Sequence, residues 1–356
     1  MGRLAIWIYA HFAVDFGCFY VLHAGLKNFL GGDLETLAAG FLAYNVIAFG
    51  LQSVIGAICD ERQVWRRVSG FAGCVMVCLA VVTAAVSEGA VVWAAMVTAA
   101  LGNAFFHVGG GIDVLRRSGG RMSGSGIFVS SGAMGVALGT LCRAGVVTIL
   151  LMLAAVVLTG MLAREDMNEQ AEADKYVHFG TAKEGSFVLM VALLMTAVFV
   201  RSYAGSVMPM EWEKTGWLAV APAAASCLGK ALGGTAADRF GAARCAVVSL
   251  LVSAPLIILG AANVLCSLAG ILLFNMTMPV TLCGLASLMP RNPGFAFGLT
   301  TLALLTGVGI TYFWAMPAAA VKPAVAVMTG VAALCTGRAC NNERWKEYEK
   351  QNRKIF

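Results

Sequence analysis

The chain has 356 residues, of which 59% are hydrophobic and only 12% charged, with a formal net charge of +6 and a mean hydropathy of +0.80. Soluble domains carry about 45–50% apolar and about 25% charged residues, so this composition excludes an ordinary soluble protein and describes a membrane protein. A helical span takes about 20 apolar residues, so twelve spans use roughly 240 positions and leave no room for a large extramembrane domain. The eleven Cys are odd in number and sit mostly in apolar runs, as small packing residues rather than a disulfide or metal set.

In chain order, apolar runs bounded by charges or Gly/Pro predict spans near 4–26, 34–58, 68–87, 90–109, 122–142 and 144–163. A second set follows near 186–209, 216–236, 242–261, 263–289, 293–314 and 318–336. The first run has no small-residue cleavage site after it, so it is expected to remain as a span rather than be removed as a signal peptide. The organisation expected is an all-α membrane protein with an N-terminal six-helix bundle (1–163), a cytoplasmic linker (164–185), a C-terminal six-helix bundle (186–336) and a cytoplasmic tail (337–356). The tail mixes bases with Trp345, Tyr348 and Phe356 and reads either as solvated chain or as a helix on the anionic inner leaflet. With both termini in the cytoplasm, nineteen of the 25 Lys and Arg fall inside, and only Lys27, Arg143, Lys214 and Lys322 fall outside. The positive-inside rule therefore orients the chain in the cell membrane.

Two loops repeat. Gly56-Ala-Ile-Cys-Asp60-Glu61-Arg62 follows the second span, and Gly234-Thr-Ala-Ala-Asp238-Arg239-Phe-Gly241-Ala-Ala-Arg244 follows the eighth. Gly56 and Gly234 are 178 residues apart, half the length of the chain. The glycines allow close helix approach, and each Asp is suited to pair with Arg or with a helix N-terminus. Such a charged contact holds one arrangement of two bundles and must break in another. The pattern Gly-x3-Asp-(Arg/Lys)-x-Gly-x2-(Arg/Lys) resembles the signature loop of the major facilitator superfamily of secondary transporters. The second copy matches fully; the first has Glu61 where a base is usual and lacks the second Gly. The resemblance implies two pseudo-symmetric six-helix bundles, no enzymatic activity, no cofactor, and a gate at these loops. The chain contains no Gly-x4-Gly-Lys-(Ser/Thr) nucleotide loop, no His-Glu-x2-His pair and no Gly-x-Ser-x-Gly elbow.

Ionisable residues at membrane depth are expensive and mark function. His11 and Asp15 are four apart on one face of the first span, as a proton-coupling pair or a lock between two helices. Asn103 and His107 repeat that spacing in the fourth span, ahead of Gly109-Gly110-Gly111, which can end or loosen the helix. Arg201 in the seventh span has no acid in its own helix and needs a counter-charge from Asp15 or an anionic substrate. Lys230 either lines the substrate site or snorkels toward the cytoplasm. Asn275, Thr277 and Thr281 around Pro279 are the polar residues of the tenth span, where Pro279 predicts a kink.

His11-x3-Asp15, Phe106-His107, and Arg201-Ser202 with Pro209 after it resemble a narrower branch, the fosmidomycin-resistance-type exporters, except that Val108 replaces a usual Pro. That resemblance implies proton-driven export of small anionic compounds. Gly126-x8-Gly135-x3-Gly139 resembles the superfamily's antiporter motif, with Thr140 at a usual Pro, and Gly298-x8-Gly307 repeats such a face.

The expectation is thus a monomeric alternating-access antiporter in the lipid bilayer, taking a small-molecule substrate and protons, without metal or nucleic acid. Asp15 carries the proton with His11 or His107 modulating it; Arg201, Asn103, Lys230 and Asn275 bind substrate. Gly56, Asp60, Arg62, Gly234, Asp238, Arg239, Gly241 and Arg244 form the cytoplasmic gate. The rivals are a proton-symport importer of an organic anion and a membrane receptor that binds without transporting.

Overall fold

A computed structural model describes residues 2–168 and 184–340. Most of the proposed linker and the tail beyond Cys340 lie outside the described residues. Within them the chain is all-helical, with twelve membrane-scale elements. The first six are α1 (Arg3–Leu30), α2 (Leu34–Glu61), α3 (Gln63–Val86), α4 (Val91–Arg117), α5 (Met122–Leu141) and α6 (Gly145–Met167). The second six are α7 (Ser186–Ser206), α8 (Ala221–Phe240), α9 (Ala242–Leu259), α10 (Val264–Leu288), α11 (Pro293–Tyr312) and α12 (Ala318–Cys340). Eleven are long and apolar enough to cross a membrane by length and composition. The exception is α8, in which Lys230, Asp238 and Arg239 interrupt the apolar run.

Tight connections keep the helices antiparallel. The α1 helix ends at Gly31, whose φ of 59° places it in the left-handed region that a Cβ disfavours. Asp33 then caps α2 by accepting the Thr36 N–H at 3.0 Å, which holds its carboxyl below the usual range. Gly241, with φ 95°, ends α8 and starts α9 without an intervening loop. Asn263 caps α10 by accepting the Cys266 N–H at 3.0 Å, so the two barely separated ninth and tenth spans are distinct helices. As its proline predicted, α10 is broken at Met276–Thr277, two residues before Pro279.

Several helices overrun the predicted spans. The fourth was expected to end near 109, yet α4 continues to Arg117 through Gly109, Gly110 and Gly111. A Cβ at these positions would strike Gly70 of α3, Phe128 of α5 and Phe297 of α11 respectively. The triple glycine is therefore a close-packing face, not a helix end.

Within the first half, α1 packs on α5, α6, α4 and α3; within the second, α7 packs on α11 and α12, and α8 on α10. The halves meet chiefly along α5 against α8 and α2 against α11, with smaller contacts of α4 with α11 and α5 with α10. Glycines set both seams. Gly126 of α5 faces the Lys230 carbonyl and Gly234 of α8, whereas Gly135 and Gly139 receive the α1 backbone at Phe12 and Phe16. On α11, Gly298 receives Ser53 of α2 and Gly307 receives Phe199 and Ser202 of α7. Gly126 and Gly298 thus lie between the halves, and Gly135, Gly139 and Gly307 within their own half.

Candidate functional site

At one end of the bundle both repeated loops close on the opposite half. The Asp60 carboxylate at the end of α2 accepts the Gly294 N–H at 2.9 Å and the Phe295 N–H at 2.8 Å, at the start of α11. The Asp238 carboxylate at the end of α8 accepts the Met122 N–H at 2.8 Å and the Ser123 N–H at 2.9 Å, at the start of α5. Both carboxylates sit where a helix leaves unpaired N–H groups and partial positive charge, an interaction of about 0.3–1 kcal/mol each when exposed and up to about 2 when partly buried. Gly56 and Gly234 let the chains meet, since a Cβ would fall on Gly294 and on Met122 and Ser123. Both aspartates take a helix N-terminus as hydrogen-bond partner, and Arg66 and Arg116 also stand within electrostatic reach of Asp60. Arg62, Arg239 and Arg244 are exposed around the loops, Arg239 lying 5.5 Å over the Phe240 ring.

Deeper in the first half, four predicted residues come together. His11 and Asp15 from α1 meet Asn103 and His107 from α4, and all four are buried. Asn103 Nδ2 donates to Asp15 Oδ1 at 3.1 Å. His11 Nε2 is 3.3 Å from Asp15 Oδ2, and His107 Nε2 is 3.7 Å from Asp15 Oδ1. The two Nε2 atoms are 2.9 Å apart with the rings edge to face. His11 Nδ1 donates to the Phe128 carbonyl at 2.7 Å, and His107 Nδ1 to the Asn103 carbonyl at 2.9 Å. Gly132 of α5 closes the cluster, because a Cβ there would meet Asp15 Oδ2 and His11 Nε2.

One ligand atom from each of His11, Asp15 and His107 lies within 4.8 Å of the others. Two nitrogens bound tetrahedrally to zinc at about 2.0–2.1 Å would stand about 3.3–3.4 Å apart. The observed 2.9 Å is instead a hydrogen-bond length.

Arg201 occupies the other half. Its guanidinium is buried, touches Met278 Sδ at 3.4 Å and lies 6.0 Å from the Phe274 ring of α10, while its Nε has no hydrogen-bond partner. Among the described residues no carboxylate forms an ion pair with it, so the sequence's candidate partner Asp15 is committed elsewhere. Lys230 of α8 is half-buried, also without an ion pair among the described residues, and is within electrostatic reach of both Asp15 and Arg201. Its charge thus acts on groups of both halves. Asn275 donates to the Ile271 carbonyl of its own helix at 2.9 Å, and Thr277 and Thr281 likewise bond the α10 backbone.

A network not singled out from the sequence ties α1, α4 and α6. Asp113 accepts from Arg3 at 2.8 Å, Trp7 at 2.6 Å and Arg117 at 2.9 Å, and Asp166 accepts from Arg117 at 3.1 Å. The signal was present: Asp113 and Arg117 are four apart, and the early end assigned to the fourth span hid them.

Comparison with solved structures places the architecture. The human organic anion transporter MFSD10 (TETRAN) superposes with a TM-score of 0.66 at 13% identity, covering 94% of this chain and 99% of that one. The E. coli fucose:proton symporter FucP, in a point-substituted form, gives 0.64 at 11% identity, covering 95% and 98%. FucP in the outward conformation, described as a major facilitator superfamily transporter, gives 0.55 at 12% identity, covering 96% and 98%. The fold is that of the major facilitator superfamily. No family model and no curated protein matches the sequence.

Proposed function

We propose that this multi-pass membrane protein of the major facilitator fold is a proton-coupled secondary transporter of a small organic anion, working by alternating access. The observation that carries the reading is the charge division between the halves. Among the described residues Arg201 has no anionic partner and Lys230 forms no ion pair, Asp15 reaching it only at a distance, while an acid–imidazole cluster occupies the first half. An uncompensated cation at the bilayer centre costs on the order of 2.5–3.5 kcal/mol, so the site is built for a charge the protein itself does not provide. The similarity of fold to an organic anion transporter and to a proton symporter agrees with this substrate class and coupling ion.

The clusters of Lys and Arg at the latched end support its assignment to the cytoplasm, and the structure is then read as closed inside. Asp60 and Asp238 hold that gate; its opening releases both helix starts. The glycine face of α5 favours antiport and hence export. Lys230 favours a second reading, proton–anion symport. A proton bound beside Asp15 weakens that residue's hold on Lys230 and frees the amine for an anion.

The experiment is a thermal-shift screen of anionic, cationic and neutral metabolites, followed by flux of the selected anion in proteoliposomes under imposed pH gradients. Stabilisation by anions, lost in Arg201→Gln, is the expected result. Accumulation against proton entry marks antiport, and accumulation along it symport. Binding without flux under any gradient leaves a receptor and overturns the proposal. The Asp15→Asn variant is expected to lose gradient-driven accumulation while keeping anion exchange.

A further inference from the structure

The hydrogen-bond directions at His11 and His107 determine how many protons the pair holds. A carbonyl oxygen only accepts, so the contacts to Phe128 and Asn103 require a hydrogen on both Nδ1 atoms. A neutral imidazole carries a single N–H. Two neutral rings would then face each other with bare Nε2 lone pairs at 2.9 Å, an arrangement that repels. We infer that one additional proton lies between Nε2 of His11 and Nε2 of His107, so that the exchangeable proton resides on an imidazole pair spanning α1 and α4, with Asp15 as its fixed counter-charge. The inference rests on the proton-coupled reading above and names the atoms that do the coupling.

The surroundings agree. Asp15 lies beside both Nε2 atoms and receives the Asn103 amide, as an ionised carboxylate should. The pair and Asp15 are together neutral, which is how a buried titratable group is tolerated without water. Among the described residues, the other titratable or charged groups in reach of the cluster are Cys18 of α1, Tyr44 of α2 and Lys230 of α8, with Cys74 of α3 next to Cys18. From α5 it meets Gly132 and the Phe128 carbonyl.

The proton balance also supplies a mechanical link. Release sends one H+ to water on the open side and leaves two neutral rings and one carboxylate. The rings then cannot stay in contact at 2.9 Å without one surrendering its carbonyl bond, so α1 and α4 move apart or a ring turns. The cluster's net charge passes from zero to minus one, which draws Lys230 of α8 across the interface.

The test is 15N NMR of histidine-labelled protein in lipid nanodiscs; the chain has four His, so assignment by substitution is practical. A scalar coupling between the two Nε2 nuclei near neutral pH, absent in His107→Gln and in His11→Gln, is expected. In Asp15→Asn the coupling should disappear near neutral pH, because the counter-charge is gone. Two neutral rings with one N–H each and no coupling would overturn the proposal, as would a stoichiometric metal ion in the purified protein. Spin labels at Glu61→Cys and Asn292→Cys then report the latch separation against pH. A shared proton with a pH-independent latch keeps this inference and removes the proton-coupled reading. A pH-dependent latch without the shared proton does the reverse and returns the carrier role to Asp15.

Discussion

Arg201 and Gly132 carry the sharpest single-residue expectations. A buried guanidinium with an unpartnered Nε destabilises the ligand-free protein, so Arg201→Gln should raise its melting temperature while abolishing anion-induced stabilisation. Thermal unfolding with and without the selected anion checks both signs, and a lower melting temperature without ligand would show that the residue is structural. Gly132→Ala pushes a methyl into Asp15 and His11 and should cost roughly 1–3 kcal/mol of stability. Gly330→Ala in α12 meets nothing within 4 Å and should be neutral or stabilising by up to about 1 kcal/mol, which makes it a matched control. At this scale the sequence was informative where spacing alone did the work. His11 and Asp15, or Asn103 and His107, share a face because a helix turns every 3.6 residues. That the two pairs interlock across α1 and α4 is a property of packing, and no periodicity encodes it. The same limit applies to Arg201, whose need for a counter-charge was legible while the absence of Asp15 as that partner was not.

Between elements, the two aspartates that grip helix starts make the contact between the halves symmetric. The double variant Asp60→Asn, Asp238→Asn retains shape but removes the charge that favours each helix N-terminus, up to about 2 kcal/mol per site when partly buried. Opening should become more frequent. Cys283, 7% exposed in α10 and beside Ser125 of α5, is a native reporter, and its labelling rate by a membrane-permeant maleimide should rise several-fold over the wild type. Unchanged labelling would mean that the carboxylates do not hold the halves together. These loops were the most legible part of the chain, since a glycine and an aspartate at fixed spacing recur 178 residues apart. The overlong α4 was the least legible, because three consecutive glycines read as a terminator, and the neighbours that make them a packing face come from other helices.

Across the molecule, the span count and the two-bundle plan followed from apolar run length and charge asymmetry, and the fold comparison agrees with both. The Asp113–Asp166 network joins three helices of the first half beyond their apolar contacts. Asp113→Asn leaves Arg3 and Arg117 under-compensated and should lower stability by roughly 1–3 kcal/mol, without altering anion affinity in the thermal-shift assay. A change in affinity would assign the network to the substrate site instead.

The crossed arrangement of the two aspartate contacts reaches further than gating. Each six-helix unit owns one aspartate and one receptive helix start, α2 with α5 in the first and α8 with α11 in the second. A unit so equipped is complementary to a copy of itself, the requirement for a two-fold dimer. The chain has the plan of such a dimer joined in tandem, with the imidazole pair in one member and, in the other, two cations that form no ion pair among the described residues.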